Sequence, residues 1–428
     1  AYSGTTYLGD DPNNKIISVA LGDEHSIALA ADGTVYTWGN NIVGQLGNNK
    51  LTTTSSIPVK VLKGTYSGTA YLGDDPNNKI ISVAVGESYS IALAADGTVY
   101  TWGQNFEGEL GNGGGPEQDT PIKVLKGTYS GTTYLGDDPN NKIISVAIGG
   151  EFSIVLAADG TVYTWGKNRD GTLGNNSFTN SNTPIKVLKG AYSGTTYLGD
   201  DPNNKIISVA LGSNYSSALA ADGTAYTWGW NFKGELGNNT TTNSNFPIPV
   251  KVLKGAYSGT TYLGDNPNNK IISVSLGDSH STALATDGIV YTWGENSTGQ
   301  LGDGSNTDRS VPVQVSDVDG SGILVLPVEL TSIIPQKMEL MQNTPNPFNP
   351  STSIRFSIPS SSDVTLKIYD LRGREVTTLL QENTAAGFHI VFWNGRNSRG
   401  RLVASGVYFY KLSTSSGFVN TKKMVLLK

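Results

Sequence analysis

Asp32-Gly33-Thr34-Val35-Tyr36-Thr37-Trp38-Gly39, with Asn40-Asn41-Ile42-Val43-Gly44-Gln45-Leu46-Gly47-Asn48 behind it, is the stretch that decides how this chain folds. Its Tyr-Thr-Trp-Gly centre returns at Trp102, Trp165, Trp228 and Trp293, at spacings of 64, 63, 63 and 65 residues. A fixed period of this kind marks a repeat architecture, in which each unit buries its apolar face against the next. Asp32-Gly33 and its copies at 96–97, 159–160, 222–223 and 287–288 are strong hairpin signals, because Asp and Gly tolerate the positive φ of tight turns. They join strand-length segments: Ser26–Ala30 to Thr34–Trp38, with Ile16–Leu21 ahead of both. Pro58, Pro121, Pro184, Pro249 and Pro312 precede short Val-rich segments, where a missing N–H donor suits a strand start or an outer edge. Helical periodicity is absent. Three or four short antiparallel strands per unit, with aromatics and glycines at fixed places, predict propeller blades, which come in sets of about 4 to 8; a closed ring of five fits.

Working outward, every unit opens on a segment like Ala1-Tyr-Ser-Gly-Thr-Thr-Tyr-Leu-Gly-Asp-Asp-Pro-Asn-Asn14, with later copies starting at Tyr66, Tyr129, Tyr192 and Tyr257. Ordering such a polar loop costs about 1 kcal/mol per residue in backbone entropy, which packing on a blade or a partner must offset. Two readings follow: Tyr7, Leu8 and their copies cover the blade edge, or, as the functional expectation, the inserts line a binding rim through Tyr2, Tyr7, Tyr66, Tyr71, Tyr129, Tyr134, Tyr192, Tyr197, Tyr257 and Tyr262. Trp230, with Phe106 and Phe232, lies in the loops after Trp-Gly and is expected to be an exposed aromatic.

The chain of 428 residues holds 52 Gly, 20 Tyr and no Cys, which excludes disulfides, thiolate metal sites and cysteine nucleophiles. Its charge is uneven: residues 341–428 carry 11 Lys+Arg against 4 Asp+Glu, leaving 19 against 32 in residues 1–340. An acidic body argues against nucleic acid, whose phosphates need clustered Lys and Arg. No apolar run approaches the roughly 20 residues of a membrane helix; Gly322–Val328 is short and broken by Pro327. A soluble protein is expected, and the start at Ala1 suits an export signal already removed.

The frame Gly-x-x-His-Ser-x-Ala-Leu, then Asp-Gly-x-Val-Tyr-Thr-Trp-Gly-x-Asn-x-x-Gly-x-Leu-Gly-Asn, resembles the RCC1-like (regulator of chromosome condensation) repeat family from Ile16 to about Val315. The resemblance implies a β-propeller. It departs from the best-known members in having five repeats, each extended by the insert. The family's nucleotide-exchange role is not expected to carry over, since no basic stretch is seen ahead of Tyr2 and the repeats are acidic. The fold also resembles secreted bacterial propellers that inhibit enzymes.

From Met341 the pattern changes to period-two alternation at Ile354, Phe356, Ile358; Val364, Leu366, Ile368; Ile390, Phe392; and Val407, Phe409, which predicts a small β-sandwich. The stretches Asn343–Pro350, Ile368–Arg374, Trp393–Gly395, Ala404–Tyr410 and Thr421–Lys428 resemble the C-terminal sorting domain of proteins exported by the type IX (Por) secretion system. Thr344 and Asn394 depart from its usual Tyr and Asp. The resemblance implies an Ig-like sandwich, a Gram-negative source, the export machinery as partner and a surface or extracellular location. It makes Asn346, Pro347, Phe348, Gly373, Arg374, Gly406, Lys422 and Lys423 the sorting residues. The expected organisation is an all-β chain with a propeller over 1–316, a linker over 317–340 and the sorting domain over 341–428.

Candidate chemistry is sparse. His25 and His280 share a repeat slot with Tyr89, Phe152 and Tyr215, so the slot takes any flat ring and no general base recurs. Asp10, Asp11, Asp74 and Asp75 are oxygen-rich weak calcium candidates but lack the alternating ligand spacing of known loops. Asn112–Pro116 is glycine-rich without the Lys-Ser/Thr of a phosphate cradle. The repeat tryptophans read as blade packing. No catalytic group and no cofactor are expected. The function expected is a secreted, non-enzymatic surface protein using its inserts to bind proteins, glycans or copies of itself. The alternatives are a structural subunit of an extracellular filament or surface layer, and a secreted enzyme inhibitor.

Overall fold

The computed structural model describes residues 7–12, 14–51, 53–241, 246–317, 322–325, 337–343, 346, 348, 352–384 and 387–427. It divides into two compact units, Ala1–Leu326 and Pro327–Lys428. The first is built of blades. In blade 1, β1 (Ile16–Leu21), β2 (His25–Ala30), β3 (Val35–Gly39) and β4 (Ser55–Lys60) follow one another across a four-stranded antiparallel sheet. Four further sheets repeat this order. Blade 2 is β5 (Ile80–Val85), β6 (Tyr89–Ala94), β7 (Val99–Gly103) and β8 (Gln118–Lys123); blade 3 is β9 (Ile143–Ile148), β10 (Phe152–Ala157), β11 (Val162–Gly166) and β12 (Ser181–Lys186). Blade 4 is β13 (Ile206–Leu211), β14 (Tyr215–Ala220), β15 (Ala225–Gly229) and β16 (Phe246–Lys251). Blade 5 is β17 (Ile271–Leu276), β18 (His280–Ala285), β19 (Val290–Gly294) and β20 (Arg309–Gln314). The prolines sit in the outer strands, at the free edge that tolerates them.

The core lies between blades. Ile27, Leu29, Val35 and Val61 of blade 1 pack on Ile80, Val83, Val85, Ala92, Ala94, Tyr100 and Trp102 of blade 2, and equivalent clusters follow. The inner strands β1, β5, β9, β13 and β17 pack in sequence, while β17 makes no comparable contact with β1. Gly22, Gly86, Gly149 and Gly212 each lie so near the carbonyl of the next blade's glycine that a Cβ would stand 2.3–2.9 Å from it; the atoms nearest a Cβ at Gly277 all belong to its own blade's His280. Val83 is 7% exposed, whereas its blade-1 equivalent Val19 is 64% exposed. The question of ring closure, which the sequence leaves open, is answered by an open array: the step set by blade-on-blade packing does not bring the fifth blade back to the first.

In the second unit, β21 (Glu339–Leu340), β22 (Thr352–Ile358) and β25 (Gly387–Trp393) form one sheet. β24 (Glu375–Thr384), β23 (Ser362–Asp370), β26 (Gly406–Thr414) and β27 (Val419–Leu426) form another. Ile354, Phe356, Ile358, Val364, Leu366 and Ile368 are buried as expected. Two strands are shifted by one residue from the expected register, which exchanges their faces. Trp393 is buried and Phe392 exposed, and Tyr408 and Tyr410 face the core in place of Val407 and Phe409. Each tyrosine hydroxyl finds a carbonyl, Tyr408 Oη donating to Ala404 O and Tyr410 Oη to Met341 O, both at 2.8 Å, so these large rings can be buried without an unpaired polar atom.

Candidate functional site

The inserts turn out to be mortar between blades. Tyr66, Tyr129, Tyr192 and Tyr257, expected on the rim, are buried, at 2–3% exposure. Each packs edge-on against a tyrosine of the following blade (Tyr100, Tyr163, Tyr226 and Tyr291) at 5.4–5.5 Å between ring centres. Their hydroxyls donate to Asn78, Asn141, Asn204 and Asn269 carbonyls. Burial pushes the Tyr66 phenol up to about 12, so it stays a donor. Just ahead, the backbone N–H of Thr65, Thr128, Ala191 and Ala256 bonds the Pro121, Pro184, Pro249 and Pro312 carbonyls of the next blade's outer strand at 2.8 Å. That contact needs glycine before it: Gly64 has φ +51°, and a Cβ there would lie 1.9 Å from Pro121 O. The rings in this slot are packing groups because they form the inter-blade core, and a partner cannot reach them.

The remaining rim residues are only partly available. Tyr71, Tyr134, Tyr197 and Tyr262 lie under the ammonium groups of Lys60, Lys123, Lys186 and Lys251 at 4.8–5.2 Å, a cation–π arrangement. Tyr7 is exposed, and Tyr2 lies outside the described residues. The calcium candidates are spoken for by donors. The Asp74 carboxylate accepts from Thr69 N, Thr69 Oγ1, Ala70 N and Tyr71 N at 2.7–3.0 Å. Partial burial pushes its pKa up, and these bonds outweigh that and hold it below the ordinary carboxylate value. Asp75 accepts from Ser67 Oγ and Asn77 N, and Asp10 from Tyr7 N. Asp11 sits in a turn whose carbonyl accepts from Asn14 N at 3.2 Å. A cation needs oxygens facing it, and at Asp74 the carboxylate faces three N–H groups and a hydroxyl instead.

Because each blade is a simple antiparallel meander, its inserts and Asp-Gly hairpins share one end, and the first-to-second and third-to-fourth strand loops share the other. At this second end a buried asparagine fixes the loop in every blade: Asn41, Asn105, Asn168, Asn231 and Asn296 accept from Leu46, Leu110, Leu173, Leu236 and Leu301 N at 2.9–3.1 Å. The residue after that asparagine is thrown outward. It is Ile42, Phe106, Arg169, Phe232 and Ser297 in turn, and Ile42, Phe106 and Phe232 are 61%, 72% and 48% exposed. Trp230, half-buried, stacks on Phe232 at 5.7 Å and 22°, and Phe178 is exposed nearby in sequence on the blade-3 loop. The insert copies are almost identical, whereas this loop position changes along the array, only Phe recurring, in blades 2 and 4. Ile42 has no signal of its own in the sequence; lining up the five loops would have exposed it.

Toward the inner strands the same end is acidic. Burial, then repulsion from Glu151 and Asp23, raises the Glu87 pKa. Glu151 is bound by Lys167, and Glu107 by Arg169 at 3.0 Å. His25 is buried, with Nε2 2.9 Å from Ser90 Oγ of blade 2. Trp102, Trp165, Trp228 and Trp293 are fully buried, as expected for blade packing.

Of the residues singled out by the sorting-domain resemblance, Asn346 and Phe348 lie where β27 meets the segment before β22. Asn346 Oδ1 accepts from Val425 N at 2.9 Å, and its Nδ2 reaches Lys423 O. Phe348 is buried against Trp393, at 5.5 Å between rings. Gly373 and Arg374 form the turn after β23, with Arg374 paired to Asp370 at 2.7 Å. Gly406 opens β26, and Lys422 and Lys423 lie on β27; Pro347 lies outside the described residues.

Repeated four-stranded blades with a constant mortar and a varied loop end define a propeller-class repeat protein. The RCC1-like domain model matches residues 5–331, and the chain belongs to that family. A FlgD Ig-like domain model matches residues 344–417. Similar proteins include the ultraviolet-B receptor UVR8 of Arabidopsis thaliana, 29% identical over 321 residues, covering 74% of this chain and 62% of the receptor. Another is the probable E3 ubiquitin-protein ligase HERC6 of Homo sapiens, 30% identical over 318 residues, covering 72% and 26%. The chain thus spans less than two thirds of these relatives' lengths. Among solved structures, human WBSCR16 aligns with a TM-score of 0.56 at 24% identity over 71% of this chain and 67% of the other, a likeness of fold.

Proposed function

We propose that this chain is a non-enzymatic protein-binding propeller whose varied loop end is the recognition surface. The observation that carries this is the contrast within one chain: near-identical inserts bury a tyrosine and a leucine between blades, while the loops that vary expose Ile42, Phe106 and Phe232, with Trp230 stacked on Phe232, around acidic inner turns. Exposed aromatics at equivalent places on alternate blades, Phe106 on blade 2 and Phe232 on blade 4, are what interface anchors look like. The acidic centre fits a partner segment that pairs basic residues with apolar anchors. A non-enzymatic role is supported by the His25 slot, which holds Phe152 in blade 3. The test is a pull-down from the producing organism's extracellular fraction. Phe106→Ala combined with Phe232→Ala is expected to weaken capture by about thirtyfold or more, at about 2 kcal/mol for a buried anchor, with an unchanged melting curve. Equal capture by the variant contradicts the assignment.

We further propose export to the cell surface through the C-terminal unit. Its support is the basic, motif-rich 341–428 segment and the way Asn346 and Phe348 lock onto β27. Deleting residues 341–428 is expected to hold the protein in the periplasm, read by fractionation; undiminished surface display contradicts the proposal.

A further inference from the structure

The four internal junctions are built alike, and the two ends of the array carry its two halves. At each junction an indole N–H of one blade donates to a loop carbonyl of the blade before it. Trp102 donates to Gln45, Trp165 to Glu109, Trp228 to Thr172 and Trp293 to Glu235, at 2.7–3.0 Å. Beside this bond, a ring of the earlier blade meets a serine of the later one: His25 with Ser90, Tyr89 with Ser153, Tyr215 with Ser281. Ile27, Leu29 and Val35 pack beneath on Val83 and Val85.

Blade 1 displays the incoming half with no host blade among the described residues. Val19 and Leu21 are 64% and 77% exposed, and Trp38 is only partly buried and has no acceptor among the described residues. Blade 5 displays the receiving half with no guest blade among the described residues. Thr282, Leu284 and Val290 are half-buried where Ile91, Leu93 and Val99 are fully buried. His280 and Gln300 are likewise uncovered relative to Tyr89 and Gln45.

We propose that blade 1 of one copy docks on blade 5 of a second copy, head to tail, remaking the junction that the chain makes four times internally. The occupant is set by that continuity: the indole, the apolar pair and the serine on one end match the carbonyl, the apolar face and the ring on the other. Leu324 N bonds Val315 O at 2.8 Å on blade 5, as Leu72 N bonds Val61 O between blades 1 and 2, and Leu8 packs on blade 1. One corner of the new junction is thus supplied twice, and docking displaces one of these leucines, which makes this junction weaker than the internal ones and reversible. The contact is heterologous, so it builds a ring if its rotation closes and a filament if it does not.

Sedimentation velocity of the full chain over a range of concentrations tests this. Wild type is expected to form concentration-dependent larger species. Leu21→Glu, a change at an exposed side chain, is expected to weaken them by more than about a hundredfold by burying a charge in the junction, with an unchanged melting curve. Thr282→Glu blocks the other end. A mixture of the two blocked variants is expected to stop at a 1:1 dimer, since only one sound head meets one sound tail. Phe106→Ala with Phe232→Ala leaves association intact, which separates this surface from the loop end. A wild type that stays monomeric throughout, association that survives Leu21→Glu, or a mixture with no dimer would each overturn the proposal.

Discussion

Replacing the single insert Tyr129–Asp138 by a Gly-Ser loop is expected to break the propeller at the junction of blades 2 and 3. The exchange removes Tyr129, buried on Tyr163, and Leu135, fully buried in the same cluster. Deleting a buried Leu costs about 2–5 kcal/mol and a large aromatic about 3–5 kcal/mol. Together these approach the whole stability of a typical domain. The insert also carries the Asp137 carboxylate that holds its backbone, with three N–H groups and the Thr132 hydroxyl converging on it. Because a repeat array is stabilised by its nearest-neighbour interfaces, the loss is expected as a separate early transition in chemical denaturation. Tyr129→Phe, which loses only the bond to Asn141 O, is expected to cost about 1 kcal/mol. A melting curve unmoved by the loop replacement would show the inserts to be free loops.

Acidification is expected to weaken the junction of blades 1 and 2 before any carboxylate with a depressed pKa titrates. Burial lowers the His25 pKa from 6.5 to about 4, and its Nδ1 has no partner. The folded state therefore holds the imidazole neutral, while the unfolded chain protonates it near 6.5. Between pH 6.5 and 4 the unfolded state binds the extra proton, so the stability present above 6.5 is lost as pH falls through this window. The full loss is on the order of 3 kcal/mol, reached below about pH 4. Glu109 and Glu235, raised by burial, act with the opposite sign, gaining stability as pH falls. The informative quantity is thus the difference between wild type and His25→Phe, a ring that the same slot accepts at Phe152. His25→Phe is expected to flatten the pH dependence of chemical unfolding over this window. An identical slope in both proteins would remove His25 as its source.

Strands and blades were legible because Asp-Gly turns and alternating Val, Tyr and Trp act locally, and β2 differs from the expected segment by a single residue. The inserts were misplaced because a Tyr in a Ser-Gly-Thr setting looks solvent-facing. Only the fold shows Tyr66 reaching Tyr100, 34 positions on in sequence, from beneath the next blade. Gly64 ahead of it was a usable hint, since glycine there signals close backbone approach. The one-residue slip at Tyr408 and Tyr410 has a related cause: amphipathic rings serve either face, and carbonyls that no local pattern reveals choose between them. Ring closure depends on the angle between packed sheets, a long-range property absent from any window of sequence. Phe106 and Phe232 were recognised as exposed loop aromatics, but their common position, after the buried asparagine, appears only when the blades are superimposed; Trp230, expected to be exposed, is half-buried against Phe232.

The central claim is that recognition lies on the loop end and the inserts are structural. Site-specific photo-crosslinking tests it most directly, with the reactive side chain placed at position 106 or 232 on the loops, or at 69 or 132 on the inserts, in otherwise unchanged chains exposed to the same extracellular fraction. The account predicts one shared crosslinked protein from 106 and 232 and none from 69 and 132. Crosslinking from 69 and 132, with none from 106 and 232, would contradict it.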